Sequence, residues 1–228
     1  MNTHMQMQTI NWGTIPYSEA HECQRRWFQE AIERKQRGEA VENRWISCQH
    51  NPVITLGKHA DHANLLFSSE AMQARGVELA QTERGGDVTF HGPGQLVVYP
   101  IIDLEQFGLG LRDYINFLEE AVIRTIARYG IEGTRVHGAT GVWIDVGTPR
   151  ERKICAIGVK SSRFVTMHGL ALNVSTDLDY FRLINPCGFI DKGVTSIRQE
   201  TGCDIPVDEV AAELIKQAEQ LLGCQFNS

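Results

Sequence analysis

No apolar run in this sequence approaches the roughly 20 residues that a membrane-spanning helix needs, so no membrane anchor is expected. The first residues, Met1-Asn2-Thr3-His4-Met5-Gln6-Met7-Gln8, lack the basic region followed by an apolar one that marks a secretory signal. The six cysteines, at 23, 48, 155, 187, 203 and 224, contain no Cys-x-x-Cys pair. They read as reduced thiols of a cytoplasmic protein, most of them packed as small hydrophobes. No His, Cys, Asp or Glu cluster has ligand spacing along the chain, so no metal is expected. Positive charge is scarce as well. The 22 Lys and Arg are outnumbered by 28 Asp and Glu, for a net charge of −6, which argues against nucleic acid as the main partner. Internal repeats, low-complexity tracts and linker-like charge runs are also missing.

What remains is an ordinary globular composition, 42% hydrophobic and 22% charged over 228 residues. That length suits one large domain or two small ones and buries a sizeable core without staples. Residues 7–12 read as a short strand. Pro16 opens a helix in which Ala20, Cys23, Trp27 and Ala31 recur at helical spacing, with Gly38 as its stop. Asn43 to Cys48 and Val53 to Leu56 read as two strands separated by a turn at His50-Asn51-Pro52. A short helix is expected over Ser68 to Arg75, then a strand from Val77 to Thr82 and another from Leu96 to Leu104. Leu111, Ile115, Leu118, Val122, Ile126 and Tyr129 make one apolar stripe on a helix over 111–129. Strands follow at 141–145, 153–160 and 169–174, and a short helix from Asp177 to Ile184. A last helix runs over 206–222, from Pro206 to a stop at Gly223. Helices and strands do not alternate as βαβ units. The expectation is therefore a single α+β domain over 1–228 with a mixed, largely antiparallel sheet flanked by helices.

Between the expected strands lies Arg84-Gly85-Gly86-Asp87-Val88-Thr89-Phe90-His91-Gly92-Pro93-Gly94-Gln95. Four glycines in twelve residues are costly to order. They suit either a binding wall that something approaches closely or the turn of a hairpin. The stretch has no Gly-Lys-Ser/Thr and does not fit G-x-G-x-x-G, so it is neither a P-loop nor a dinucleotide fingerprint.

Cys187 sits between Pro186 and Gly188, just past an expected helix end. Such a turn can expose a thiol and leave backbone N–H groups facing an oxyanion. The other reading is one more packed thiol. A thiol at its reference pKa of about 8.5 is only a few per cent ionised at pH 7, so a reactive one needs a base or cation beside it. Lys153 opens the apolar run Ile154-Cys155-Ala156-Ile157-Gly158-Val159. There it is either a solvated strand-end lysine or one desolvated enough to accept a proton.

Several ordered segments together resemble the lipoyl(octanoyl) transferase family of lipoate biosynthesis. They are His50-Asn51-Pro52-Val53-Ile54-Thr55-Leu56-Gly57, Arg84 to Gln95 with Tyr99-Pro100, and Gly141-Val142-Trp143 with Lys153 to Gly158. His168-Gly169-Leu170-Ala171-Leu172-Asn173 and Asn185-Pro186-Cys187-Gly188 with Val194-Thr195-Ser196 complete the set, which spans roughly residues 50–197. The resemblance implies the fold of biotin and lipoate protein ligases. It implies transfer of an octanoyl group, without a cofactor, from octanoyl-acyl carrier protein to one lysine of a lipoyl domain. The acceptors would be those of 2-oxoacid dehydrogenase complexes and the glycine cleavage H protein. In that family the cysteine matching Cys187 carries the acyl group as a thioester, and the lysine matching Lys153 acts as acid and base. Substrate contacts map onto Arg84, Gly85, Gly86, Asp87, Val88, Thr89, Phe90 and His91, onto Ala156, Ile157 and Gly158, and onto Gly169, Leu170 and Ala171. Gly85, Gly86, Gly158 and Gly169 would let backbone lie against the acyl chain. Lys58, Arg84, Lys160 and Arg163 would form a basic docking patch for acidic partners. His91 and His168 either touch substrate or hold the pocket, the latter being the reading for His168. The competing functions are an ATP-dependent lipoate or biotin protein ligase, a cysteine thioesterase and a non-catalytic acyl-binding module.

Overall fold

The computed structural model describes residues 6–185 and 192–227, so Pro186, Cys187 and Gly188 lie outside the described residues. The chain opens with β1 (Gln6–Ile15), α1 (Tyr17–Gln36), β2 (Asn43–His50), β3 (Val53–Leu56), α2 (Ser69–Gln73), β4 (Glu78–Gln81), β5 (Val88–His91) and β6 (Gln95–Ile101). It continues with α3 (Leu111–Ala127), β7 (Thr134–Val136), β8 (Ala139–Ile144), β9 (Arg152–Ser162) and β10 (Val165–Asn173). Last come β11 (Gly193–Val194), α4 (Ile197–Thr201), α5 (Val207–Leu222) and β12 (Gln225–Asn227).

The main sheet runs β12-β1-β2-β6-β10-β9-β8-β7, with β11 added to β9. β1 pairs in parallel with both β12 and β2, and β11 with β9. The other ladders of this sheet are antiparallel. The sheet is thus mixed and largely antiparallel, as the pattern of the sequence requires.

Helices cover both faces, and the period-two alternation of the central strands sorts side chains between them. In β6, Leu96 and Val98 join the cluster formed with α3 and α5, whereas Val97, Tyr99 and Ile101 join the one formed with α1. Because both faces are covered, β6 and β10 are buried along their whole length, the polar Gln95, Thr166, His168 and Asn173 included. On α3, Leu118, Val122 and Ile126 are fully buried as the stripe predicts, each contributing about 1.5–3 kcal/mol. Leu111, at the start of that stripe, is 47% exposed.

A second, three-stranded sheet has the order β4-β3-β5. The turn at His50-Asn51-Pro52 therefore does not close a hairpin: β2 stays in the main sheet and β3 enters the small one. The pattern of the sequence shows the break and not the change of partner. β5 lies inside the glycine-rich stretch, where flanking glycines hide its short alternation. The small sheet has its own core, in which Ile54, Leu56, Met72, Val88 and Phe90 pack against Phe181, Leu183 and Ile184.

The strand expected over Leu96 to Leu104 stops at Ile101, and a 3-10 turn follows at Leu104–Phe107. Asp103 begins that turn, its carboxylate accepting from the Glu105 N–H.

Candidate active site

A cavity of about 500 Å³, within the range of small-molecule sites, opens where β5, β6, β9, β10 and the start of α3 converge. Its apolar wall comes from Val88, Val97, Leu111, Ile115, Ala156, Ile157, Val159, Leu170 and Ala171. Arg84, Gly85, Gly86, Asp87, Thr89, His91, Lys153, Gly158 and Gly169 border it too. The fold thus gathers three segments that are far apart in sequence. Phe90 is the exception. It is 1% exposed and stacks on Tyr180 with ring centroids 4.7 Å apart, because alternation along β5 turns it into the core of the small sheet.

The glycine-rich wall is held by Arg84. The Nη2 of this 8% exposed residue donates to Thr55 O and to Asp87 O, both at 2.7 Å, while Nε donates to Thr55 Oγ1 and Nη1 to Gly85 O. A guanidinium spent on backbone carbonyls cannot belong to an exposed docking patch, so the place expected for Arg84 in that patch is corrected. Asp87 also braces the wall: its carboxylate accepts from Asn64 Nδ2 and the Asp61 N–H.

The glycines serve backbone contacts. A Cβ on Gly158 would lie 2.8 Å from Gly85 O, and one on Gly169 would lie 2.1 Å from Val98 O. At these two positions the missing side chain lets backbone meet backbone, where the expectation was space for substrate. Gly85 N–H then docks the wall onto β9 by donating to Val159 O at 2.9 Å.

Lys153 stands on β9 at the cavity's edge. Its Nζ lies 4.4 Å above the Trp143 ring and donates to Thr140 O at 3.3 Å. Gly141 lets Lys153 and β8 pack together: at φ 124° its absent Cβ would meet Cys155 O at 2.5 Å and Lys153 Cε at 3.5 Å. The Gly141 N–H donates to Glu119, a buried α3 carboxylate that also binds Arg135. Although the stretch 186–191 is not described, its two ends are. Asn185 N–H donates to Asn64 O, and Val194 is in register with Lys153.

Two histidines are fixed in a single tautomer. His50 Nδ1 faces Ile15 O, which only accepts, so Nδ1 carries the proton and Nε2 accepts from Tyr99 OH at 2.7 Å. Gln95 donates its amide to Phe90 O and Asn173 Oδ1, which turns Oε1 towards His91 Nδ1 and places that ring's proton there. Asn173 in turn donates to Thr195 O, and the Thr195 N–H to Lys153 O. A buried polar chain therefore links His91 to the strand that carries Lys153. Burial pushes the pKa of His50 down to about 4, and burial together with His50 and Arg84 pushes His91 to about 3. Both are neutral at pH 7. His168 is buried beside the cavity in a left-handed conformation, φ 62°.

The sequence reading missed Tyr17, Leu111, Ile115 and the turn Gly138–Thr140 as parts of the wall. Leu111 and Ile115 share the spacing of the core stripe, and nothing in that spacing separates a pocket position from a core one.

The family model of the lipoyl protein ligase A/B catalytic domain matches residues 17–219. An octanoyltransferase of Bacteroides thetaiotaomicron is 54% identical over 219 residues, covering 96% of each chain. Among solved structures, the bipartite lipoate protein ligase of Thermoplasma acidophilum aligns with a TM-score of 0.74 at 20% identity, over 99% of this chain and 87% of that one. A lipoate-protein ligase A bound with ATP aligns with a TM-score of 0.69 at 19% identity, over 98% and 88%.

Proposed function

The chain belongs to the lipoyl protein ligase A/B catalytic-domain family, and we propose that as a single catalytic domain it transfers an octanoyl group from octanoyl-acyl carrier protein to a lysine of a lipoyl domain through a thioester on Cys187. It is an acyltransferase. The 54% identity to an octanoyltransferase separates it from the ATP-dependent ligases, whose likeness at about 20% is one of fold.

The observation that carries this reading is a lysine at the rim of an apolar-walled cavity, on the strand that pairs with the segment following Cys187. In the first half-reaction the Cys187 thiolate attacks the acyl carbonyl. A new C–S bond forms, the C–S bond to pantetheine breaks, and the pantetheine sulfur leaves as a thiol after taking a proton. One thioester replaces another, so the step is close to balanced and needs no ATP. In the second half-reaction the acceptor amine attacks, a C–N bond forms, and the Cys187 sulfur leaves. A lysine with reference pKa of about 10.4 is mostly charged at pH 7, so its proton must be taken; Lys153 is the acceptor in this reading. Burying the acyl chain against Val88, Leu111, Ile115, Ile157 and Leu170 contributes about 0.8 kcal/mol per methylene. Gly85 and Gly86 shape the wall, and the remaining substrate-facing positions hold it.

The acceptors in this reading are the lipoyl domains of 2-oxoacid dehydrogenase complexes and the glycine cleavage H protein. Among the described residues, no helix is long and apolar enough to cross a membrane. The reading places the enzyme in the cytoplasm, in keeping with free thiols at Cys23, Cys48, Cys155, Cys203 and Cys224.

Intact mass spectrometry after mixing the protein with octanoyl-acyl carrier protein tests this. A hydroxylamine-sensitive octanoyl adduct is expected on the wild type and not on Cys187→Ala. Adding a lipoyl domain should move the mass to that domain, and Lys153→Ala should slow the move severely without unfolding the protein. An unmodified wild type would overturn the covalent route. Release as free octanoate would make the protein a thioesterase, and activity with octanoate plus ATP would make it a ligase.

A further inference from the structure

Three side chains from three separate elements converge behind the cavity. They are His21 on α1, Glu83 in the connection from β4 to β5, and His168 on β10. A ligating atom of each lies within 4.8 Å of those of the other two. His21 Nε2 is 2.9 Å from Glu83 Oε2, and His168 Nε2 is 3.9 Å from the same oxygen.

The carboxylate is divided between two surroundings. Oε1 faces Arg25 Nε at 3.7 Å and Lys160 Nζ at 4.0 Å, while Oε2 faces the two imidazoles. The two cations weaken attraction for a third positive charge without occupying the oxygen that would bind it.

His168 gives a second, independent sign. It is 2% exposed, and its Nε2 is buried without a hydrogen-bond partner among the described residues. A buried ring nitrogen is ordinarily paired. Its backbone is held at φ 62°, a conformation that costs a non-glycine residue energy and that the surroundings must impose. Gln24 Oε1 does part of this by accepting from the His168 N–H at 3.2 Å. The outcome is a ring nitrogen 3.9 Å from a carboxylate oxygen, with a third candidate ligand, His21, already beside that oxygen.

We propose that His21, Glu83 and His168 form a site for one divalent transition-metal ion, with Zn²⁺ as the fitting probe. Two imidazoles and a carboxylate suit zinc, with a fourth position left for water. Calcium and magnesium take all-oxygen sets, so they fit poorly. His21, Arg25, Glu83 and Lys160 also line an outer groove beside α1, which gives the ion and its water a way in. The bound ion would pin α1, the connection from β4 and β10 to one point, next to Gly169 in the cavity wall. His168 borders the same cavity as Lys153, yet the proposal does not depend on the acyl-transfer reading.

The full chain, stripped with chelator and desalted after exposure to Zn²⁺, should retain one equivalent by elemental analysis and native mass spectrometry. Co²⁺ in its place should give the visible ligand-field bands of a four-coordinate site. Zinc should also raise the Tm. In Glu83→Gln, His21→Ala and His168→Asn the retained metal and the Tm rise should be lost, with affinity weaker by roughly tenfold or more. Asparagine tolerates the left-handed conformation, and His21→Ala substitutes a strong helix former on a helix, so these variants fold. No metal on the wild type would overturn the proposal. So would equal retention by all three variants, which would mean adventitious binding at other histidines.

Discussion

Arg84→Ala should destabilise the fold far more than a surface substitution, because Arg84 acts as an internal clamp. Its two shortest bonds, to Thr55 O and Asp87 O at 2.7 Å, tie β3 to the residue just before β5 in the glycine-rich wall. Hydrogen bonds from a charged donor contribute about 1.5–3 kcal/mol each. The low end applies to both, because the neighbouring cavity can admit water to the freed carbonyls. The expected loss is then about 3 kcal/mol, against a total stability of about 5–15 kcal/mol. For a chain of this size that lowers Tm by roughly 6–12 °C. Arg84→Lys keeps the charge but not the planar fork, and it should recover about half of the loss. Urea unfolding followed by circular dichroism reads the effect as a shift in midpoint at constant m-value. Lys58→Ala, on the exposed neighbouring turn, is the control and should stay within about 0.5 kcal/mol of wild type. If Arg84→Ala behaved like that control, the clamp would be refuted and a surface role restored.

Other perturbations follow from the same geometry. Gly169→Ala places a Cβ 2.1 Å from Val98 O and 2.7 Å from Pro100 Cδ, forcing the two central strands apart. A cost above about 4 kcal/mol is expected, and a soluble variant with near-normal Tm would contradict the contact. Ile115→Ala lengthens the apolar slot. The kcat/KM ratio of decanoyl to octanoyl carrier protein should rise about fourfold per methylene newly accommodated, and an unchanged ratio would remove Ile115 from the acyl wall. His50 and His91 titrate far below the ordinary 6.5, at about 4 and about 3, so on acidification the unfolded chain binds protons before the folded one. Their stabilising effect is full above about pH 6.5 and is lost as pH falls towards the folded values, each adding about 1.4 kcal/mol per pH unit in that window. Between pH 6 and 4 the slope of stability against pH should flatten by about that amount in His91→Gln, and an identical slope would show that the ring is not held neutral.

Much of the fold is legible where pattern and packing agree. The last helix is one case: of the face expected from Val207, Val210, Ala211, Leu214, Ile215, Ala218 and Leu222, Val210, Ala211, Leu214 and Ala218 are buried and the other three half-buried. Pairing partners are less legible. The turn before β3 has the same signature whether the next strand folds back or joins another sheet. Leu111 and Ile115 belong to a core-like stripe and become cavity wall because the first turns of α3 border the cavity. Phe90 shares a stretch with pocket residues, yet the pleat turns it away. The glycines were read as room for a ligand, whereas Gly158 and Gly169 make room for Gly85 and Val98. His21, Glu83 and His168 carry no mutual signal along the chain, since 62 residues separate the first pair and only the folded sheet brings the third beside them. The polar chain from His91 through Gln95 and Asn173 to Thr195 joins residues from several of the recognised segments, each of which looks separate when read in order.

The change of sheet after β2 has a kinetic side. β2 and β6 are neighbours in the main sheet, so residues 51–94 are an excursion that leaves it and returns beside its point of departure. That excursion packs on an apolar centre it shares with Phe181, Leu183 and Ile184, and it carries the arginine-clamped wall, while Lys153 stays on the main sheet. A segment with a separate centre exchanges its amide protons by opening as a cooperative unit, at less than the free energy of global unfolding. The two sides of the cavity therefore rest on two different apolar centres.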